Sequence, residues 1–124
     1  MGVRIRIGDT PGLAWGIWDP DRRLITLRPG MGPLQHEWTA YHELGHAHYE
    51  HIGRNPKQEL AADRWAIRNM LTVDVVAREA EPGLTVQQLA ARLNVLPRAL
   101  HVFLDDLTAI EREVLRALVF DHAA

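Results

Sequence analysis

Val3, Ile5 and Ile7 alternate with Arg4 and Arg6, the period of a strand with one covered face. Asp9-Thr10-Pro11-Gly12 is turn chemistry, and Leu13 to Trp18 and Arg23 to Arg28 read as two more strands. Asp19-Pro20-Asp21 between them predicts a hairpin turn. After the loop Pro29-Gly30-Met31-Gly32-Pro33 the apolar spacing changes to that of a helix, expected from Pro33 to His51 and ended by Gly53. Asn55-Pro56, a cap followed by proline in the first turn, opens a second helix to about Leu71. Glu81-Pro82-Gly83 breaks the next segment. Thr85 with Gln88, and Thr108 with Glu111, are capping boxes that each start a helix. The first of these ends near Asn94, and Pro97 opens another helix to about Leu104.

Strands followed by helices predict an α+β fold, a small antiparallel N-terminal sheet followed by one motif-bearing helix and about four more. The 124 residues suffice for one domain. Its expected parts are a sheet over 1–30, a helix pair over 33–71 and C-terminal helices over 84–118 with helix-turn-helix-like spacing. An apolar share of 47% is ordinary for a packed domain. The net charge of -2 gives no electrostatic footprint for nucleic acid or an anionic membrane. The first residues alternate apolar and basic positions, so neither a signal peptide nor a membrane span is expected, and the expected location is the cytoplasm.

The chain has no cysteine, so a metal site must use histidine and carboxylate. Seven histidines make clustering worth testing, and Tyr41-His42-Glu43-Leu44-Gly45-His46 contains His-Glu-x-x-His. Residues four apart share a helix face, so His42 and His46 can reach one ion. Glu43 points about 100° away around the helix, beside the ion rather than onto it, where a base is needed to deprotonate an activated water. A metzincin would carry glycine and a third histidine three and six residues after His46. Those positions are Tyr49 and Ile52, so that spacing fails. The next helix supplies the alternative. Glu59 and Asp63 share a face, Glu59 can complete a His₂Glu zinc site, and Asp63 can accept the outer N–H of a ligating histidine.

These residues bring a resemblance into view. Asp19-Pro20, Pro29, Thr39-Ala40-Tyr41-His42-Glu43-Leu44-Gly45-His46 and Glu59-Leu60-Ala61-Ala62-Asp63-Arg64-Trp65-Ala66 resemble the ImmA/IrrE-type zinc metallopeptidases, which are gluzincin-like, over roughly Trp15 to Leu118. Family members often carry a second glutamate where this chain has Ala61, and another residue where it has Trp65; the proposed ligands are intact. The resemblance implies a zinc endopeptidase acting on a specific protein partner, commonly a repressor that governs phage, mobile-element or stress genes.

Two rival readings belong to other classes. One is a peptidase-like binding module that captures a regulator without cutting it, but a pure binder has no use for a base at Glu43. The other is a DNA-binding regulator, built on the spacing of Leu89, Ala90, Leu93, Val95 and Leu100. Its second helix offers Arg98 and His101 but also Asp105 and Asp106, which repel phosphate. Trp38 lies one turn before His42 and is expected to wall the site or join the core, and Tyr49 to pack below the metal. His36, His48, His51, His101 and His122 have no assigned partner and are expected at the surface. The oligomeric state is not legible.

Overall fold

A computed structural model describes residues 2–121. Three short strands form one sheet: β1 (Arg4–Ile7), β2 (Gly16–Asp19) and β3 (Leu24–Leu27), in the order β1-β3-β2. β2 and β3 are the expected antiparallel hairpin, but β1 pairs parallel to β3, Ile5 opposite Ile25. The sheet is therefore mixed rather than antiparallel. The cause is the connection over 8–15, which carries the chain past the next strand position so that the hairpin returns β3 into the middle. Leu13 to Trp15 belong to this connection and not to β2.

Six helices follow, which with the small sheet makes the class α+β: α1 (Pro33–His48), α2 (Pro56–Met70), α3 (Val73–Glu79), α4 (Val86–Leu93), α5 (Pro97–Asp106) and α6 (Ala109–Arg116), the last continued by a π-helical turn over Ala117–Asp121. Both capping boxes form, at Thr85/Gln88 and Thr108/Glu111. The unexpected helix is α3. It is short and valine-rich, and its start is set by the Thr72 hydroxyl accepting from the Val75 N–H. α1 also ends three residues before His51. Glu50 adopts a left-handed φ of 54°. The Glu50 N–H then donates to the Ala47 carbonyl and the His51 N–H to the His46 carbonyl, a Schellman closure completed before Gly53 is reached.

The chain divides into two compact units, residues 1–66 and 67–124. In the first, α1 lies on β2 and β3 over a core of Trp18, Ile25, Leu27 and Ala47, with Val3, Met31, Ala40 and Leu44 packed against it. In the second, Ile67, Leu71, Val76, Ala90, Ala99, Leu100 and Phe103 are buried. α3 contacts α4 and α6, and α4 contacts α5. Arg68 binds Glu111 through two N–H···O bonds of 2.9 Å and Asp106 through one of 3.0 Å to its carboxylate and one of 2.8 Å to its carbonyl, and its guanidinium stands over the Phe103 ring. No helix among the described residues is long and apolar enough to cross a membrane. His122 lies outside the described residues.

Candidate metal centre

Two glycines let the elements around the site approach closely. A Cβ at Gly45 of α1 would lie 2.8 Å from the carbonyl oxygen and 3.0 Å from the Cα of Ala62 in α2. A Cβ at Gly16 of β2 would lie 2.8 Å from the Thr39 methyl and 3.0 Å from Cγ of Glu43. Backbone therefore meets backbone where α1 crosses α2, and the Glu43 side chain lies directly on the first residue of β2.

That crossing brings His42 and His46 of α1 together with Glu59 of α2. His42 Nε2 is 2.7 Å from Glu59 Oε2, His46 Nε2 is 3.1 Å from the same oxygen, and the two Nε2 atoms are 3.1 Å apart. His42 Nδ1 lies 2.6 Å from Asp63 Oδ1. A carboxylate can only accept, so His42 gives its Nδ1 proton to Asp63, and a neutral His42 turns a lone pair toward Glu59. With the His46 proton on Nδ1, three acceptor atoms converge on one point, and a proton on an imidazole or a metal ion must bridge them. A tetrahedral ion with bonds of about 2.1 Å would space its donors by roughly 3.4 Å, so the triangle fits after its sides open by about 0.3 to 0.7 Å. These three residues could hold a metal ion.

The titration behaviour follows from the same crowding. Burial opposes charge on His42, but the Asp63 hydrogen bond and the carboxylates of Glu43, Asp63 and Glu59 outweigh it and hold its pKa above the ordinary value. Burial, assisted by His42, lowers that of His46. Burial would raise that of Glu59, but the two imidazoles prevail and lower it.

Glu43 stands apart from this triangle. It is 3% exposed, and its Oε2 has no hydrogen-bond partner among the described residues. Burial raises its pKa to about 7, against the opposing pull of His42 and Arg54. Its carboxylate lines a cavity of about 100 Å³ with Ile17, Trp18, His46, His51, Gly53 and Arg54. The cavity is roomy enough for a few waters, and Glu43, His46, His51 and Arg54 in its lining can bind them.

Other neighbours divide into those expected and those not. The buried Trp38 ring stands 6.4 Å from that of His42. Tyr49 does not pack below the site: as the C-cap residue of α1 it is half exposed and stacks on His51. His48 is exposed and stacks on Trp65, His101 is exposed, and His36 is half-buried. His51 departs from the expected surface placement, its Nδ1 lying 2.9 Å from His46 Nδ1. Arg54, which the sequence reading passed over, donates to the Gly16 carbonyl at 3.2 Å and lies 3.9 Å from Glu59 Oε1. Both follow from the early end of α1, which no glycine or proline announces.

No curated protein and no solved structure matches this chain. A family does, over residues 1–105: Peptidase_M78, the IrrE N-terminal-like domain. That span contains every residue of the triangle, Glu43 and Asp63. The chain thus belongs to the IrrE N-terminal-like domain family of peptidases.

Proposed function

We propose that this chain is a zinc-dependent endopeptidase in which His42, His46 and Glu59 hold the ion, Asp63 orients His42, and Glu43 is the general base. The observation that carries the reading is the convergence of His42 Nε2, His46 Nε2 and Glu59 Oε2 within 3.1 Å, beside a buried carboxylate whose Oε2 has no partner among the described residues. Zinc suits two imidazoles and one carboxylate with a fourth position left open. When bound, the ion supplies Lewis acidity, polarising a peptide carbonyl and lowering the pKa of water toward ~7.

The remaining steps belong to the chain's own side chains. Asp63 keeps the proton of His42 on Nδ1, leaving Nε2 free to ligate. Glu43 takes a proton from the attacking water and delivers it to the leaving amine. Its burial, at 3% exposure, keeps that proton from bulk solvent. β2 is an edge strand beside Glu43, and its Gly16 carbonyl faces outward to Arg54. An extended peptide adding to that edge would run past the base.

The partner we propose is a transcriptional repressor, met in the cytoplasm. Support for it comes from the resemblance to ImmA/IrrE-type enzymes. The test is Glu43→Gln, which keeps size and hydrogen bonding but removes the base. Zinc content and partner binding persist, while cleavage of a repressor encoded nearby falls by at least ~10²–10⁴-fold. Partner binding without cleavage by the wild type, and no effect of Glu43→Gln on the downstream response, would instead favour a binding module.

A further inference from the structure

His42 has Asp63 behind it, and the structure puts a second histidine behind His46. The Schellman closure of α1 fixes His51 there through its backbone, by the 3.0 Å bond from its N–H to the His46 carbonyl. The two rings then meet edge to face at 5.1 Å, Nδ1 to Nδ1 at 2.9 Å. Tyr49 stacks on His51 at 5.3 Å and 23°, which limits rotation of the ring. Two imidazole nitrogens this close need one donor and one acceptor. If His46 Nε2 faces the Glu59 oxygen as a ligand, its proton must sit on Nδ1, so His51 Nδ1 must be the acceptor and carry its own proton on Nε2.

Resting on the metal-centre reading above, we propose that His51 is the positioning residue for His46: it accepts the His46 Nδ1–H, and so holds His46 in the tautomer and orientation that ligate the ion. The centre then has two different supports. A carboxylate backs His42, and a neutral imidazole backs His46. Metal-binding histidines commonly give their outer N–H to a carboxylate, backbone carbonyl or water. Here that acceptor is a third histidine, delivered by the turn that ends the helix carrying the first two. The segment 49–54 is thereby tied to the metal centre, because any change that lifts His51 also frees the His46 ring.

The experiment compares zinc affinity, by chelator competition, in the wild type and three variants. His51→Ala removes the acceptor and weakens zinc by ~10–100-fold, the usual effect of losing such a partner. His51→Phe keeps an aromatic ring against Tyr49 but has no acceptor, and shows the same loss. His51→Asn returns an acceptor oxygen close to the Nδ1 position and binds within a few-fold of wild type. In the zinc-loaded protein the His46 Nδ1–H resonance is protected from solvent exchange in the wild type and His51→Asn, and lost in the other two. Wild-type affinity in His51→Phe, or no rescue by asparagine, makes His51 a packing residue and overturns the proposal. A wild type that takes up no zinc overturns the metal centre and this inference together.

Discussion

Alanine in place of a helical glycine ordinarily stabilises a protein, because glycine in a helix interior costs ~1 kcal/mol. Gly45→Ala in α1 is predicted to do the reverse. The added methyl would lie 2.8 Å from the Ala62 oxygen and 3.0 Å from its Cα, where ordinary contact begins at 3.4 Å. Both atoms are backbone of a helix and cannot rotate away. α1 and α2 must therefore part by about 0.6 Å, against a repulsive wall that rises steeply. Overpacking of this kind costs ~1–3 kcal/mol, and a rigid backbone neighbour puts the figure in the upper half of that range. After the propensity gain is subtracted, a net loss of ~1–2 kcal/mol remains, a fall in melting temperature of roughly 3–8 °C for a chain of this size. The proposed zinc site should be affected as well. Glu59 and Asp63 flank Ala62 on the same helix, while metal–ligand distances tolerate only about 0.2 Å. Affinity should fall at least ~10-fold, with no ligand altered. Thermal melts of the metal-free protein and chelator competition with zinc measure the two effects. A Gly45→Ala protein that melts higher than wild type and binds zinc equally well would refute the close crossing of α1 and α2.

Two other outcomes follow from the structure. Glu59→Ala removes a proposed ligand and should weaken zinc far more than Asp63→Ala, which removes only the partner of His42 and should cost ~10–100-fold by calorimetry; equal, negligible effects would remove the carboxylate helix from the site. Arg68 and the Thr108 cap hold the pKa of Glu111 down to about 2 from 4.5. A lowered folded-state value means that the network's stabilisation is complete above pH 4.5 and is lost as pH falls toward 2. Melting temperature should decline through that window in the wild type and less steeply in Glu111→Gln.

What could be read in the sequence was local. The His-Glu-x-x-His spacing, the shared face of Glu59 and Asp63, and the caps at Asn55, Thr85 and Thr108 each depend on residues within one or two turns of one another. Their elements stand close to where the residues put them. The parallel pairing of β1 was not legible, because it depends on where the 8–15 connection travels and not on the alternation of Val3, Ile5 and Ile7. α3 escaped because seven residues containing three valines carry as much strand signal as helix signal. His51 escaped because Gly53 is the obvious stop for α1, while the chain turns at Glu50, a residue with no marked preference for the left-handed conformation. Arg54 depends on the same turn. The family match and the local motif agree on the same stretch of chain, and what neither supplies is the set of contacts made by residues 49–54.

The central claim is that His42, His46 and Glu59 make one zinc site. Elemental analysis of the purified, metal-replete protein tests it most directly, run beside a His42→Ala, His46→Ala double variant. The account predicts about one zinc per chain in the wild type, close to none in the variant, and a wild-type melting temperature that falls when the metal is stripped. A wild type that carries no zinc and takes none up, or a double variant that binds zinc as well as the wild type, would contradict it.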